Sequence, residues 1–173
     1  MADSALIIEL PWAEPVAGPW RHGHDPVSHR GIPAHVTILH PFRSPDVIDE
    51  GVRTTLAGLA AAVDGWRSAL VEVSTFPDAV WLRPEPDDGF HRLAASVFAA
   101  FPDCPPYGGR FDGFRPHLTL GQSSEPGVVE ALRDEIASDL AAVLPIAGPV
   151  VGLSLFVSAD DRHWTRDTVF PFS

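Results

Sequence analysis

The sequence predicts an α+β fold of two facing lobes built by internal duplication, and three observations lead there. A short His-x-Thr pattern occurs twice. The two copies, with flanking elements, recur at one fixed offset, and strands alternate with amphipathic helices through both halves.

One copy lies in Phe114-Arg115-Pro116-His117-Leu118-Thr119-Leu120-Gly121. As a strand, it turns His117 and Thr119 to one face and Leu118 and Leu120 to the other. An imidazole and a hydroxyl then stand roughly 7 Å apart at the Cα level, close enough to meet one small ligand. The other copy is Pro33-Ala34-His35-Val36-Thr37-Ile38-Leu39, with the same alternation. Random ordering of a chain with 8 His yields on the order of a few hundredths of a match to this tetrad. A lone copy would read as a half-buried strand with a tolerated His; a matched pair points to function.

Residues 5–10 form a first strand, closed by Pro11. The polar stretch 14–30 carries Trp20, Arg21, His22, His24, Asp25 and His29, and could cover a site. Pro15 could open a helix there, but Gly18, Pro19 and Gly23 argue for a broken one or a loop. After the first His-x-Thr strand, Ser44-Pro45-Asp46 reads as a helix start, with Ile48, Val52, Leu56, Leu59 and Val63 at helical spacing and Gly65 beyond the end. Strands follow at 69–75 and 80–83, the latter ended by Pro84 and Pro86. Asp87-Asp88 can cap a helix whose stripe is Phe90, Leu93, Ala94, Val97, Phe98 and Phe101, all core positions. A Pro- and Gly-rich loop at 102–113 leads into the second His-x-Thr strand. Pro126 then opens a helix with Val129, Leu132, Ile136, Leu140 and Val143 on one face, stopped by Pro145. Val151, Leu153, Leu155 and Val157 mark a strand, 160–163 a turn and 164–172 a last extended segment.

At an offset of 82, His35 falls on His117, Thr37 on Thr119, Val71 on Leu153 and Val73 on Leu155. Each half reads strand, connection, His-x-Thr strand, Pro-started helix, strand. The chain of 173 residues suits a single two-lobed domain, with repeat units at about 1–78 and 79–173 and the two His-x-Thr strands lining the groove.

Composition narrows the function. A formal net charge of −11 disfavours a sequence-independent grip on long nucleic acid, which needs phosphate-neutralising cations, but leaves room for a pocket holding one or two phosphates. Cys104 is the only cysteine, so there is no disulfide framework and no Cys-based zinc site. No apolar run approaches the roughly 20 residues of a membrane span, and the first strand is too short for a signal-peptide core. A cytoplasmic monomer is the expectation.

Two His and two Thr around one groove make an anion cradle with an acid and a base on opposite sides. In-line displacement at phosphorus needs that arrangement: one group activates the entering oxygen, the other protonates the leaving oxygen, and no metal is required. Ser-type nucleophilic catalysis is less natural, because neither Thr has a neighbouring base within the motif.

These residues resemble the paired His-x-Thr-x motifs of the 2H phosphoesterase superfamily, and the chain is similar to bacterial 2′-5′ RNA ligase-like proteins related to RNA 2′,3′-cyclic phosphodiesterases. Pro41-Phe42 and Phe170-Pro171-Phe172 fit the resemblance, whose layout covers nearly the whole chain. It implies a pseudo-twofold fold with antiparallel sheets flanking a central cleft and helices outside. It also implies metal-independent hydrolysis or transesterification of a cyclic phosphodiester or 2′-5′ linkage. By position, His35 and His117 would be the catalytic pair and Thr37 and Thr119 the phosphate-binding pair. The implied partner is a small nucleotide or RNA 3′ end carrying a cyclic phosphate, with no DNA, membrane or cofactor.

Two departures stand out. Gln122 follows Gly121 where related enzymes often carry Arg, and His40 stands where similar sequences tend to have Tyr. Arg115, Arg21, Arg43 or Arg92 could compensate for the Arg, and Phe42 or Phe114 could contact the substrate. His40 has the opposite strand parity from His35, which assigns it to packing or the surface. Two rival readings are a metal-binding protein using His22, His24, His29, His35 and His40, and a silent binder of nucleotides or RNA ends that keeps the cradle without turnover.

Overall fold

The computed structural model describes residues 2–110, 113–160 and 162–173. Phe111 and Asp112 of the expected loop, and Asp161 of the expected turn, lie outside them. Eight strands and four α-helices follow in order: β1 (Asp3–Glu9), α1 (Glu14–His24), β2 (His35–Leu39), α2 (Glu50–Ala61), β3 (Trp66–Phe76), β4 (Ala79–Glu85), α3 (Asp88–Ala100), β5 (Leu118–Gln122), α4 (Val128–Leu140), β6 (Ile146–Val150), β7 (Gly152–Ser158) and β8 (Trp164–Pro171). They form two four-stranded sheets, ordered β2-β1-β7-β8 and β5-β4-β3-β6. All neighbouring strands run antiparallel.

The sheet orders carry the duplication in a form the repeat alone does not define. β2-β1-β7 corresponds to β5-β4-β3, so the first half sends its third strand, β3, and the second half its fourth, β7, into the other half's sheet. The first helix of each half crosses as well: α1 packs on β5 and α3 on β2. The His-x-Thr segments are edge strands of different sheets, and they meet across the groove. Their burial patterns match. Val36, Ile38, Leu118 and Leu120 are buried in one continuous core, while His35, Thr37, His117 and Thr119 are half-buried on the opposite faces. Gly121 is required by close packing: a Cβ there would stand 2.7 Å from both His24 Cβ and Leu132 Cδ2, between α1 and α4.

Three local expectations are corrected. Residues 14–24 form a continuous helix despite Pro19, because its inner face, with Ala17 and Arg21, is buried against the protein. The helix expected from Ser44 begins five residues later. Ser44 bonds the Asp46 carboxylate within a 3₁₀ turn, whereas Asp49 Oδ1 accepts from Val52 N at 2.9 Å and caps α2. Similarly, Gly127 in a left-handed turn precedes α4, so Pro126 lies before the helix rather than in its first turn. A further strand, β6, goes beyond the sequence reading. It pairs with β3 at a sheet edge, where Pro149 removes no needed ladder bond, and its Gly148 lies beneath the Trp12 ring. Among the described residues, no helix is long and apolar enough to cross a membrane.

The capping assignment is open to test by denaturant unfolding. Asp49→Ala should cost about 1 kcal/mol, while Ser44→Ala should stay within about 0.5 kcal/mol.

Candidate active site

A cavity of roughly 210 Å³ lies where the two edge strands meet, and His35, Thr37, His117 and Thr119 all line it. Each Thr is set by its sheet, Thr37 opposite Ile7 of β1 and Thr119 opposite Trp81 of β4.

Each imidazole is oriented by the backbone just before it. His35 Nδ1 bonds the Pro33 carbonyl at 2.7 Å, and His117 Nδ1 bonds the Arg115 carbonyl at 2.7 Å. A carbonyl oxygen only accepts, so Nδ1 carries the proton in both rings. Nε2 is then the acceptor of each neutral ring, and among the described residues no hydrogen bond engages it. The sequence supports this geometry directly. A proline stands two positions before His35 and one before His117, and the bonded carbonyl is two residues upstream in each case.

The rings differ in surroundings. Burial, followed by the Arg21 charge, pushes the His35 imidazolium down to about 3 from 6.5; the Pro33 carbonyl opposes this, and His117 and His40 add to it. Burial also lowers His117, against the pull of the Arg115 carbonyl and with help from the Arg115 charge. His117 is held by aromatic edges, its ring centroid 5.0 Å from Phe76 and 5.9 Å from Trp81.

The other expected substrate contacts do not join the four motif residues. Arg21 is only 2% exposed. Its Nε donates to Asp25 at 3.1 Å and its Nη2 to the Ile32 carbonyl at 3.0 Å, so its hydrogen bonds are internal. Arg115 is exposed and lies over the Phe76 ring, with 6.0 Å from Cζ to the centroid. Phe42 is buried edge-on against Phe101, and Phe114 meets the edges of His91 and Phe98; neither lines the cavity. Arg43 pairs with Asp103 at 2.8 Å.

Several lining residues escape the sequence reading. Tyr107 reaches the wall from a 3₁₀ turn at Pro106–Gly109, with φ of 52° and its amide donating to the His40 carbonyl at 2.7 Å. Burial pushes its phenol up to about 12, so it remains a donor across the working pH range. A single tyrosine in a Pro- and Gly-rich loop gives no sequence signal for such a position. Arg30 and Asp25 come from the polar stretch after α1, and Trp164 from the start of β8. His40 also lines the cavity, contrary to its strand parity, because β2 ends at Leu39 and the alternation ends with it. Its Nε2 bonds Asp3 Oδ2 at 2.9 Å. Gln122 lies at the exposed rim. The histidines of the metal-binding reading do not converge. His24 stacks on Trp20, His29 Nε2 bonds the His22 carbonyl, and among the described residues no three His, Cys, Asp or Glu could hold a metal ion together.

Comparison with solved structures places this fold in one class. E. coli LigT complexed with 3′-AMP is 18% identical, with a TM-score of 0.65 over 99% of this chain and 98% of that one. TT0787 of Thermus thermophilus is 20% identical, with a TM-score of 0.65 over 98% and 97%. A structure described as a phosphoesterase is 18% identical, with a TM-score of 0.63 over 99% and 98%. The two-lobed fold is therefore that of LigT and related phosphoesterases. Residues 9–162 match the 2′-5′ RNA ligase superfamily, and the chain belongs to that family of 2H phosphoesterases. No curated protein matches the sequence.

The buried, neutral His35 makes stability depend on pH. Its folded-state pKa lies below the 6.5 of the unfolded chain, so between 6.5 and about 3 the unfolded state binds the extra proton and stability falls as pH falls. His35→Asn should flatten the decline of Tm over that range, measured by calorimetry against wild type.

Proposed function

We propose that the chain is a metal-independent phosphoesterase that opens a cyclic phosphodiester of the 2′,3′ type, or cleaves or forms a 2′-5′ linkage, by two-histidine acid/base catalysis. The observation that carries this reading is the matched pair of Nδ1-anchored imidazoles, each with a threonine hydroxyl beside it on one cavity wall.

His35 acts as the base. It stays neutral in the cleft, and its Nε2 lone pair can take the proton of an attacking water or hydroxyl. His117 acts as the acid. An anionic phosphate between the rings favours the imidazolium, and His117, away from Arg21, is the ring that accepts the proton. In hydrolysis of a 2′,3′-cyclic phosphate, water attacks phosphorus in line as its proton passes to His35. The bond to one ribose oxygen breaks, and that oxygen takes the proton from His117, leaving a phosphomonoester. Thr37 and Thr119 donate to the non-bridging oxygens, and Arg30 supplies on the wall the guanidinium that Gln122 does not. Ile7, Ile32 and Trp164 form an apolar side for the sugar or base. The complex of LigT with 3′-AMP is in keeping with a ligand of nucleotide size.

Turnover of a 2′,3′-cyclic nucleotide tests the reading. His35→Ala and His117→Ala should each lower it by about 10²-fold or more, and the double variant should be little worse than the worse single one. Excess chelator should leave wild-type activity within about twofold, since both proton carriers are side chains. Wild-type rates in either single variant would sink the assignment, and absence of turnover with tight binding would favour a silent binder.

Substrate size follows from charge. With 23 acidic against 12 basic side chains, a long RNA would bring many phosphates against a repulsive field, whereas a small ligand brings only those the cleft neutralises. Small cyclic phosphodiesters should bind at least as well as long RNA ending in the same group, with a salt slope of about one or two phosphate contacts. Binding isotherms at several salt concentrations decide it, and steep salt sensitivity on long RNA would defeat it.

A further inference from the structure

The backbone that orients His35 is itself held by a buried charged network with no counterpart at His117 among the described residues. Every polar backbone group from the Ile32 carbonyl to the Ala34 carbonyl has a partner. Arg21 Nη2 donates to the Ile32 carbonyl at 3.0 Å, and Pro33, which has no N–H, gives its carbonyl to His35. The Ala34 amide donates to Glu14, and the Ala34 carbonyl accepts from Leu10 N at 2.8 Å. Arg21 is fixed in turn, with Nε to Asp25 at 3.1 Å and Nη1 3.7 Å from Glu14. Arg21 and Asp25 are each 2% exposed, and Asp25 Oδ1 also accepts from Val27 N at 3.2 Å. Among the described residues, only His117 itself hydrogen-bonds the backbone at 114–116 through a side chain.

We propose that Arg21, held by Asp25 and Glu14 on α1, is a positioning residue for His35: it locks the 32–34 backbone so that the Pro33 carbonyl keeps the His35 proton on Nδ1 and Nε2 toward the cavity. This rests on the phosphoesterase reading for its catalytic consequence, but not for its structural one. A buried guanidinium suits the task because its planar fork donates to a carboxylate and a carbonyl at once, which an ammonium on a flexible stem does less well. The charged and titratable groups around the His35 ring are Arg21 from α1, Asp25 and Arg30 from the turn after it, His40 from the end of β2, Tyr107 from its loop and His117 across the cleft.

Nitrogen-15 NMR of the histidine rings in the full chain, which reports tautomer and titration midpoint, tests this with steady-state kinetics alongside. The variant Arg21→Met/Asp25→Asn removes both charges together and so avoids stranding a buried carboxylate. It should turn the single His35 Nδ1–H tautomer into a mixture and raise the His35 midpoint by about one pH unit or more, with His117 unchanged. The acid limb of the pH–rate profile should move up with it, and kcat should fall more than KM changes. Arg21→Lys keeps the charge and most of the packing. It should hold the midpoint near wild type while still loosening the tautomer, and it stands in should the double variant not fold. A single, unshifted His35 tautomer in a folded variant overturns the proposal. A shifted tautomer in a protein whose wild type turns over no phosphodiester leaves the positioning role standing and removes the enzymatic reading.

Discussion

The structure depends on a pair of short hydrogen bonds, from His35 Nδ1 to the Pro33 carbonyl and from His117 Nδ1 to the Arg115 carbonyl. They fix the proton of each neutral ring on Nδ1 and leave Nε2 as its acceptor, the condition on which the proposed reaction rests. For both acceptor nitrogens to share one space, the two segments must be edge strands of separate sheets, facing each other. The exchange of β3 and β7 between the halves accomplishes this. One sheet is completed by β7 and β8 of the second half and the other by β3 of the first, which leaves β2 and β5 at edges and joins the two halves through hydrogen-bonded ladders.

The division between what the sequence makes legible and what it conceals follows from the range of the forces involved. The His-x-Thr strands are readable because alternation is a local property: Val36, Ile38, Leu118 and Leu120 have to go inward, and the histidines and threonines therefore cannot. Family resemblance and duplication bring the two segments to one cleft. Features set by tertiary contact are out of reach. α1 runs through Pro19 because burial of Ala17 and Arg21 outweighs a lost backbone bond, and no local rule weighs that. β6 contains Gly148 and Pro149, both poor strand residues, yet it is held by β3 on one side and by Trp12 above. Tyr107, Arg30 and Trp164 reach the cavity from a turn, a loop and a strand start that carry no motif. The family resemblance offers Arg21 as one of several arginines that could contact substrate; in the structure its guanidinium is buried and bonded to Asp25 and the Ile32 carbonyl.

A second, smaller hydrophobic cluster lies on the cleft side of β1. β1 is apolar on both faces. Leu6 and Ile8 enter the main core, while Ala5 and Ile7 pack with Ile32, Phe156 and Trp164 on the cleft side. That small cluster draws on β1, β7, the start of β8 and the segment before β2, and four of its members, Ala5, Ile7, Ile32 and Trp164, line the cavity. On the other lobe, Phe76 stacks on Trp81 at 4.8 Å and both present edges to His117. The polar residues of the cavity thus stand beside apolar groups from both sheets.

A duplicated site faces a difficulty that a unique one does not. Two identical imidazoles in mirrored surroundings would share a proton equally, and neither would be committed as acid or base. The proposed reaction needs them to differ. The surroundings differ: a buried guanidinium with two carboxylates beside the backbone that orients His35, and Phe76, Trp81 and the exposed Arg115 around His117. The Arg21 charge disfavours a proton on His35, whereas His117 is lowered by burial and by the Arg115 charge, with no contribution from Arg21. In the proposed reaction, the proton favoured by a bound phosphate would sit on His117. The anion-binding half of the motif can remain symmetric, because a phosphate presents similar oxygens to Thr37 and Thr119. In the proposed reaction only the proton-transfer half must be broken, and α1 carries the buried Arg21 that would break it.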